Sequence, residues 1–443
     1  MSTYPASDQR FKEKDASEKQ SSDVPFQPKQ NLIYLKWSEK TDLESLESNT
    51  NVFDLVCFSH LRWDFVYQRP QHLLSRCAQA RRVFVVEEPL DSPDDSYYLD
   101  ISRRECGVWV VVPHLPQGLS EDQAIALQRL LVDALIAEAQ IQTPILWYYN
   151  PMAVPFTHHL DASAIVYDCM DELSAFQGAH PELQTREAHL FELANLVFTG
   201  GLSLYEAKQH QHSSVHAFPS SIDAAHFAQA RAIGEEPSDQ AAIPHPRLGF
   251  YGVVDERMDL ALLEGIAQAR PDWHLVIIGP VVKIDPALLP KHPNIHYLGG
   301  KSYQELPSYL AGWDVALLPF ARNESTRFIS PTKTPEYLAA GKPVVSTSIR
   351  DVVRPYGDEE LVYIADTVPE FVTAIEKALA QSQTNDDWLN RVDAFLSQIS
   401  WDLTWQAMNE LIEAAIVTSK QGRKSSVRQE ETSTATELVS SRK

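Results

Sequence analysis

The feature that most constrains this chain is a repeating alternation. Short, wholly apolar runs are separated by stretches of helical period, and the series runs twice. In the first series, strands are expected over 53–59, 82–87, 108–112, 145–149, 164–167 and 196–199, and helices over 71–80, 121–140 and 181–194. Strands apolar on both faces, with helices between them, imply a parallel sheet covered on both sides. The pattern pauses at Phe218-Pro-Ser-Ser-Ile-Asp223, and a polar, Pro-containing stretch follows to about residue 246. It then restarts, with strands expected at 247–251, 274–278, 294–298, 315–318 and 343–346 and helices at 260–269, 303–311, 334–340 and 369–380. A last amphipathic helix is expected over 401–417, with Trp401 and Trp405 one turn apart. The expectation is an α/β protein of two facing Rossmann-like domains, 51–218 and 219–400, with the 401–417 helix crossing back to the first. Residues 1–30 and 419–443 lack an apolar period and are expected as a disordered leader and tail.

Composition narrows the partners. The net charge is −22, and the acid excess lies between the two termini, each of which is basic on balance. Backbone phosphates reward a basic face, so nucleic acid is not an expected partner. Phosphate handling must be local, through a few Lys or Arg side chains or a helix N-terminus. The four cysteines form no CxxC pair, which suits a reducing compartment. No apolar run reaches the ~18 residues of a membrane span, and the N-terminus lacks the apolar core of a signal peptide. The expectation is a cytoplasmic protein without a transmembrane segment.

Several signatures are missing. There is no GxGxxG, HExxH, GxSxG or Asp-x-Asp, which argues against a dinucleotide fold, a zinc protease, a hydrolase elbow and a paired-carboxylate metal site. Gly299-Gly-Lys-Ser302 imitates the end of a phosphate loop, but Ile295 stands where that loop needs its first Gly.

Two stretches carry a resemblance. His60-Leu-Arg-Trp-Asp-Phe-Val-Tyr-Gln-Arg-Pro-Gln-His72 and Ser330-Pro-Thr-Lys-Thr-Pro-Glu-Tyr-Leu-Ala-Ala-Gly-Lys-Pro-Val-Val345 resemble the GT-B glycosyltransferases of family 4, glycosyl transferases group 1. Within it they are most similar to the branch concerned with teichuronic acid or exopolysaccharide. The resemblance runs over about 51–417. It implies a GT-B fold with an interdomain cleft and retaining transfer of a sugar from a nucleotide-diphosphate donor to a hydroxyl. The acceptor would be a glycan or a lipid-linked sugar, with peripheral membrane contact in the latter case. It implies no cofactor and no metal.

The residues give physical reasons beside that resemblance. Gly279 ends a strand where an open sheet binds ligands, and a Gly there admits close approach. Ser330 and Thr332 lead into a helix whose first N–H groups suit a diphosphate, and Lys333 adds a point charge. Arg257, in the loop after the first strand of the second domain, can fork onto phosphate oxygens or pair with Asp255 or Glu256. Arg327 is a second candidate for that work. Glu336 resembles the second Glu of the family's E-x7-E motif, which implies a donor-ribose contact; otherwise it complements the helix dipole. Phe328 stands at the first Glu position and departs from the family.

On the other side, His60, Arg62, Asp64, Gln68 and Arg69 lie on a loop after a strand, where a wall for the acceptor sugar is expected. Arg69 can instead cap the next helix. Asp171, near another strand end, can orient the acceptor hydroxyl or stabilise positive charge on the sugar, or serve as a helix cap.

Overall fold

The computed structural model describes residues 34–38, 53–94, 96–382 and 386–440. The leader expected over 1–30 lies outside them.

The first lobe is built on a ten-stranded sheet. Its strands are β1 (Tyr34–Trp37), β2 (Leu55–Phe58), β3 (Val83–Val86), β4 (Leu90–Asp91), β5 (Tyr98–Arg103), β6 (Trp109–Leu115), β7 (Ile145–Tyr148), β8 (Ala164–Cys169), β9 (Leu196–Thr199) and β10 (Val215–Ala217). Their spatial order is β1-β5-β6-β3-β2-β7-β8-β9-β10, with β4 beside β6. The second sheet has β11 (Arg247–Tyr251), β12 (His274–Ile278), β13 (Ile295–Gly299), β14 (Val315–Leu318), β15 (Val344–Ser346) and β16 (Tyr363–Ile364). They run in the order β13-β12-β11-β14-β15-β16, all parallel.

Both central sheets read outward from their first strand, then reverse. The reversal falls between β2 and β7 in the first lobe and between β11 and β14 in the second. Ligands of open α/β sheets bind beyond the carboxyl ends at such switch points. β2, β3, β7 and β9 are buried along their whole length, as strands covered by helices on both faces must be.

Five strands have no counterpart in the apolar runs: β1, β4, β5, β10 and β16. β5, Tyr-Leu-Asp-Ile-Ser-Arg, alternates half-buried and buried residues and pairs antiparallel with β6. It extends the sheet at a partly solvated edge, where a strand needs only one apolar face.

The final helix runs from Trp401 to Ser440. Met408, Ile412 and Ile416 pack with Leu55, Leu73 and Val166 on one face of the first sheet. Trp401 is 1% exposed and stacks on His72 at 4.6 Å; Trp405 is half-buried against the same core. The disordered tail expected from 419 is therefore corrected to helix as far as Ser440. Extending a helix already formed adds a bond per residue without a new nucleus.

Candidate active site between the lobes

The loops leaving the strand ends of both lobes meet. From the second lobe, Gly252 follows β11 and Gly279 follows β12. Both have φ +141°, a region that favours Gly. A Cβ on Gly279 would lie 1.8 Å from the Gly252 carbonyl oxygen, and one on Gly252 would lie 2.2 Å from Lys333 Cε. The two glycines let adjacent loops touch and let the Lys333 stem lie across the β11 turn.

Lys333 opens the helix Lys333–Ala339, with Thr332 at its N-cap. Burial pushes its pKa down, while Glu336 holds it up. Among the described residues no carboxylate stands within 4.0 Å of its Nζ. Glu336 is 5% exposed and accepts the Tyr251 hydroxyl. Its carboxyl is pushed up by burial and pulled back by Tyr251 and Lys333.

Arg257 forks onto Asp255, with Nε 3.0 Å from Oδ1 and Nη2 2.6 Å from Oδ2. The Asp255 partner expected as one alternative is thus real, yet the pair stands in the cleft, not on an outer face. The Arg257 guanidinium lies 5.6 Å from the Phe176 ring of the first lobe. Lys283 lies 5.5 Å from the same ring. Asp171, on the same first-lobe loop as Phe176, feels Arg257, Arg69 and Lys333. Burial pushes its carboxyl up to about 6, against the pull of these cations and with Asp255 adding to the rise. Asp171, Arg257 and Lys333 are thus brought together from both lobes.

His60, after β2, is pushed down to about 4 by burial and then by Lys283 across the cleft. Its Nδ1 is buried without a hydrogen-bond partner, and the lowered pKa leaves the ring neutral at pH 7.

Other expected residues are placed elsewhere. Arg69 is 3% exposed. Its guanidinium holds Asp168 at 2.8 and 3.1 Å and donates to the Phe218 carbonyl at 2.7 Å. The structure thus places Arg69 in a buried pair within the first lobe, with a bond from each of its three side-chain nitrogens directed into the protein. Arg62 is spent on Glu87 at 2.9 Å and the Glu88 carbonyl. Asp64 pairs with Arg104 at 2.6 Å, and the Gln68 N–H is capped by the Gln71 side chain at 3.0 Å. Arg327 is exposed, pairs with Glu324 at 3.3 Å and does not join the cluster. Ser330 bonds to Ser220 in the connection between the lobes. Lys301 of the Gly-Gly-Lys-Ser stretch donates to Asp239 at 2.6 Å, while Ser302 caps a helical turn with Glu305.

Reading the sequence missed Gly252, Lys283 and Phe176. Gly252 follows a strand as Gly279 does, so the same signal was present. Lys283 and Phe176 carry no motif; only the meeting of the lobes singles them out. Among the described residues no group of three His, Cys, Asp or Glu side chains gathers that could hold a metal. No helix there is long and apolar enough to cross a membrane.

Two Rossmann-like lobes with opposed switch points define the GT-B architecture, and solved structures carry the same fold. Sucrose-phosphate synthase from Thermosynechococcus elongatus aligns with a TM-score of 0.61 at 13% identity, over 83% of this chain and all of that one. The E. coli trehalose-6-phosphate structure bound with UDP-2-fluoro glucose aligns at 0.60, with 13% identity over 81% of this chain and 99% of that one. Anabaena HepE in complex with UDP and glucose aligns at 0.57, with 14% identity over 82% and 100%.

Residues 245–381, within the second lobe, match the family described as Glycosyl transferases group 1. TuaH of Bacillus subtilis (strain 168), named as a teichuronic acid biosynthesis glycosyltransferase, is 29% identical over 139 residues, 30% of this chain. The matched stretch spans 35% of that relative's length.

Proposed function

We propose that the protein is a glycosyltransferase that moves a sugar from a nucleotide-diphosphate donor to a hydroxyl of a glycan or lipid-linked acceptor. The observation that carries this is the convergence of Arg257 and Lys333 from the group 1 domain with Asp171 from the facing lobe. Lys333 is a desolvated cation with no carboxylate at hand, beside helix N–H groups, and a diphosphate supplies the missing charge. The relatives' bound UDP, UDP-2-fluoro glucose and glucose support this reading.

In the reaction the bond between the anomeric carbon and the diphosphate oxygen breaks, with the electron pair leaving on the nucleotide diphosphate. Arg257 and Lys333 stabilise that charge as it develops. The acceptor oxygen bonds to the anomeric carbon on the face the donor leaves, with retention, and its proton passes to the departing phosphate oxygen. Asp171, ionised at neutral pH, faces the positive charge that grows on the sugar. No metal is required, because the two cations occupy the role a metal takes elsewhere. The donor ribose lies at Glu336, the acceptor enters past His60, and the work is cytoplasmic, at the inner membrane face where the acceptor is lipid-linked.

A thermal-shift and calorimetric panel of UDP, GDP, ADP and their sugars tests the reading. One nucleotide diphosphate should stabilise the protein, in EDTA as well as without it. No stabilisation by any of them would sink it. One observation favours a second reading, an inactive scaffold of the same fold: Phe328, at the first motif position, packs against the first-lobe core. Tight nucleotide-sugar binding without turnover across acceptors would select it.

A further inference from the structure

The segment after β15 reaches across to the first lobe. Asp351 is 5% exposed. Its carboxylate accepts the N–H groups of Leu202 at 2.8 Å and Ser203 at 2.9 Å, just beyond β9. A Cβ on Gly201 would lie 2.2 Å from Asp351 Oδ2 and 3.0 Å from Ser330 Cβ. Gly201 is therefore wedged between the carboxylate and the loop that leads to Lys333. That loop is held at two further points, Phe328 packed against the first-lobe core and Ser330 on Ser220 of the connection between the lobes. Glu206, on the helix that Asp351 caps, pairs with both Arg350 and Arg354.

We propose that Asp351 is a positioning residue: through Gly201 it fixes the 326–332 loop against the first lobe, and so sets where Lys333 stands relative to Asp171. Several observations point the same way. The carboxylate is desolvated and both its oxygens are used, so it is a buried anchor and not a surface pair. The space at Gly201 admits no side chain, so the Gly201 backbone lies directly against the Asp351 carboxylate and Ser330 Cβ. Phe328, unsuited to the polar contact its position implies, has a task in the same loop: it fastens the loop to the neighbouring core. A loop fixed at Phe328 and Ser330, with Asp351 bearing on Gly201, cannot shift without the lobes shifting too.

Hydrogen–deuterium exchange on the full chain without ligand reads this directly. In Asp351→Ala, amides 202–203 and the 326–332 loop should both exchange roughly tenfold faster or more, as loss of a charge-assisted hydrogen bond implies. Asp351→Asn should restore part of the protection at both segments, because its Oδ1 can accept one of the two N–H groups while its NH2 cannot accept the other. Should Asp351→Ala not fold, Gly201→Ala, which pushes on the carboxylate and Ser330 from the other side, should open the same two segments. Opening at 202–203 with 326–332 unchanged overturns the proposal, as does no opening at either. A further consequence rests on the donor reading above: affinity for the best of UDP, GDP and ADP should fall roughly tenfold in Asp351→Ala and recover in part in Asp351→Asn. Absence of nucleotide binding in the wild type would sink that donor reading and leave the exchange result standing.

Discussion

The loop that leaves β2 and the loops that leave β11 and β14 hold equivalent places, each at the switch point of its own sheet. Both are rich in charged residues, and the sequence marks both as ligand walls. They end differently. In the first lobe Arg62, Asp64 and Arg69 are each absorbed by a partner of the same lobe: Glu87, Arg104 and Asp168. In the second, Arg257 also pairs within its own lobe, with Asp255, while standing over Phe176 of the other; Lys333 differs, drawn into the interior with no carboxylate among the described residues within ion-pair distance. A charged residue with its partner supplied in cis shapes a wall; one left short of charge asks for a ligand. On the proposed reading, the first-lobe wall is built mainly as scaffold, and the second-lobe loop around Lys333 as receptor.

The strongest way to break that contrast is at Arg69. Removing one member of a buried, hydrogen-bonded pair leaves the other charge stranded, at a cost of about 3–5 kcal/mol. Arg69→Ala should lower unfolding stability by that much in chemical denaturation. A variant as stable as wild type, with weakened acceptor binding, would move Arg69 back to the acceptor wall.

Next come the donor cations. Lys333→Ala and Arg257→Ala should each weaken nucleotide-diphosphate binding by about 1.5–3 kcal/mol. For Lys333 stability should hold, because removing a desolvated charge with no carboxylate within ion-pair distance relieves a cost. Calorimetry with unchanged affinity in both variants would remove the receptor side of the comparison.

How much of this was legible follows the same division. The second-lobe strands and the helix at Lys333 were readable because parallel strands covered on both faces must be continuously apolar, and because a loop before a helix fixes where its free N–H groups lie. Strands such as β5, next to the sheet margin, were not, since every other residue is only half-buried. Nor was the fate of Arg69. Its partner Asp168 is 99 residues away, and no local pattern encodes a pair closed by the topology of the sheet. The Phe328 departure was visible as an anomaly, but its packing against the other lobe was not.

Asp171 sharpens the contrast through pH. Its carboxyl sits at about 6 in the folded protein, against about 3.9 in an unfolded chain. As pH falls from 7 toward 4 the folded state takes up the proton first, so this group adds stability on acidification, and that contribution fades as pH rises through 6. Asp171 is half-buried, so solvent screening reduces the effect to about 1 kcal/mol. Turnover should move the opposite way, falling as pH drops through about 6, because the ionised form faces the sugar. Asp171→Asn should flatten both limbs. A rate that rises on acidification would make Asp171 a proton donor instead.

The smallest expected effect is at Asp64, and it tests whether the first-lobe wall reads its ligand at all. Asp64 and Arg104 form a forked pair at 2.6 and 3.0 Å, but the Asp64 side chain is 63% exposed. Exposed pairs contribute about 0.2–1 kcal/mol, so Asp64→Ala should barely move the denaturation midpoint. It should also leave nucleotide affinity as it is, because the donor cations belong to the other lobe. The informative quantity is the acceptor KM. If the first lobe is scaffold at this point, KM and kcat stay within twofold of wild type, within the ~0.4 kcal/mol such a factor represents. A rise in acceptor KM with kcat and stability unchanged would mean that Asp64 holds its arginine only until a sugar hydroxyl arrives. The contrast between a satisfied wall and an unsatisfied receptor would then be one of occupancy and not of design.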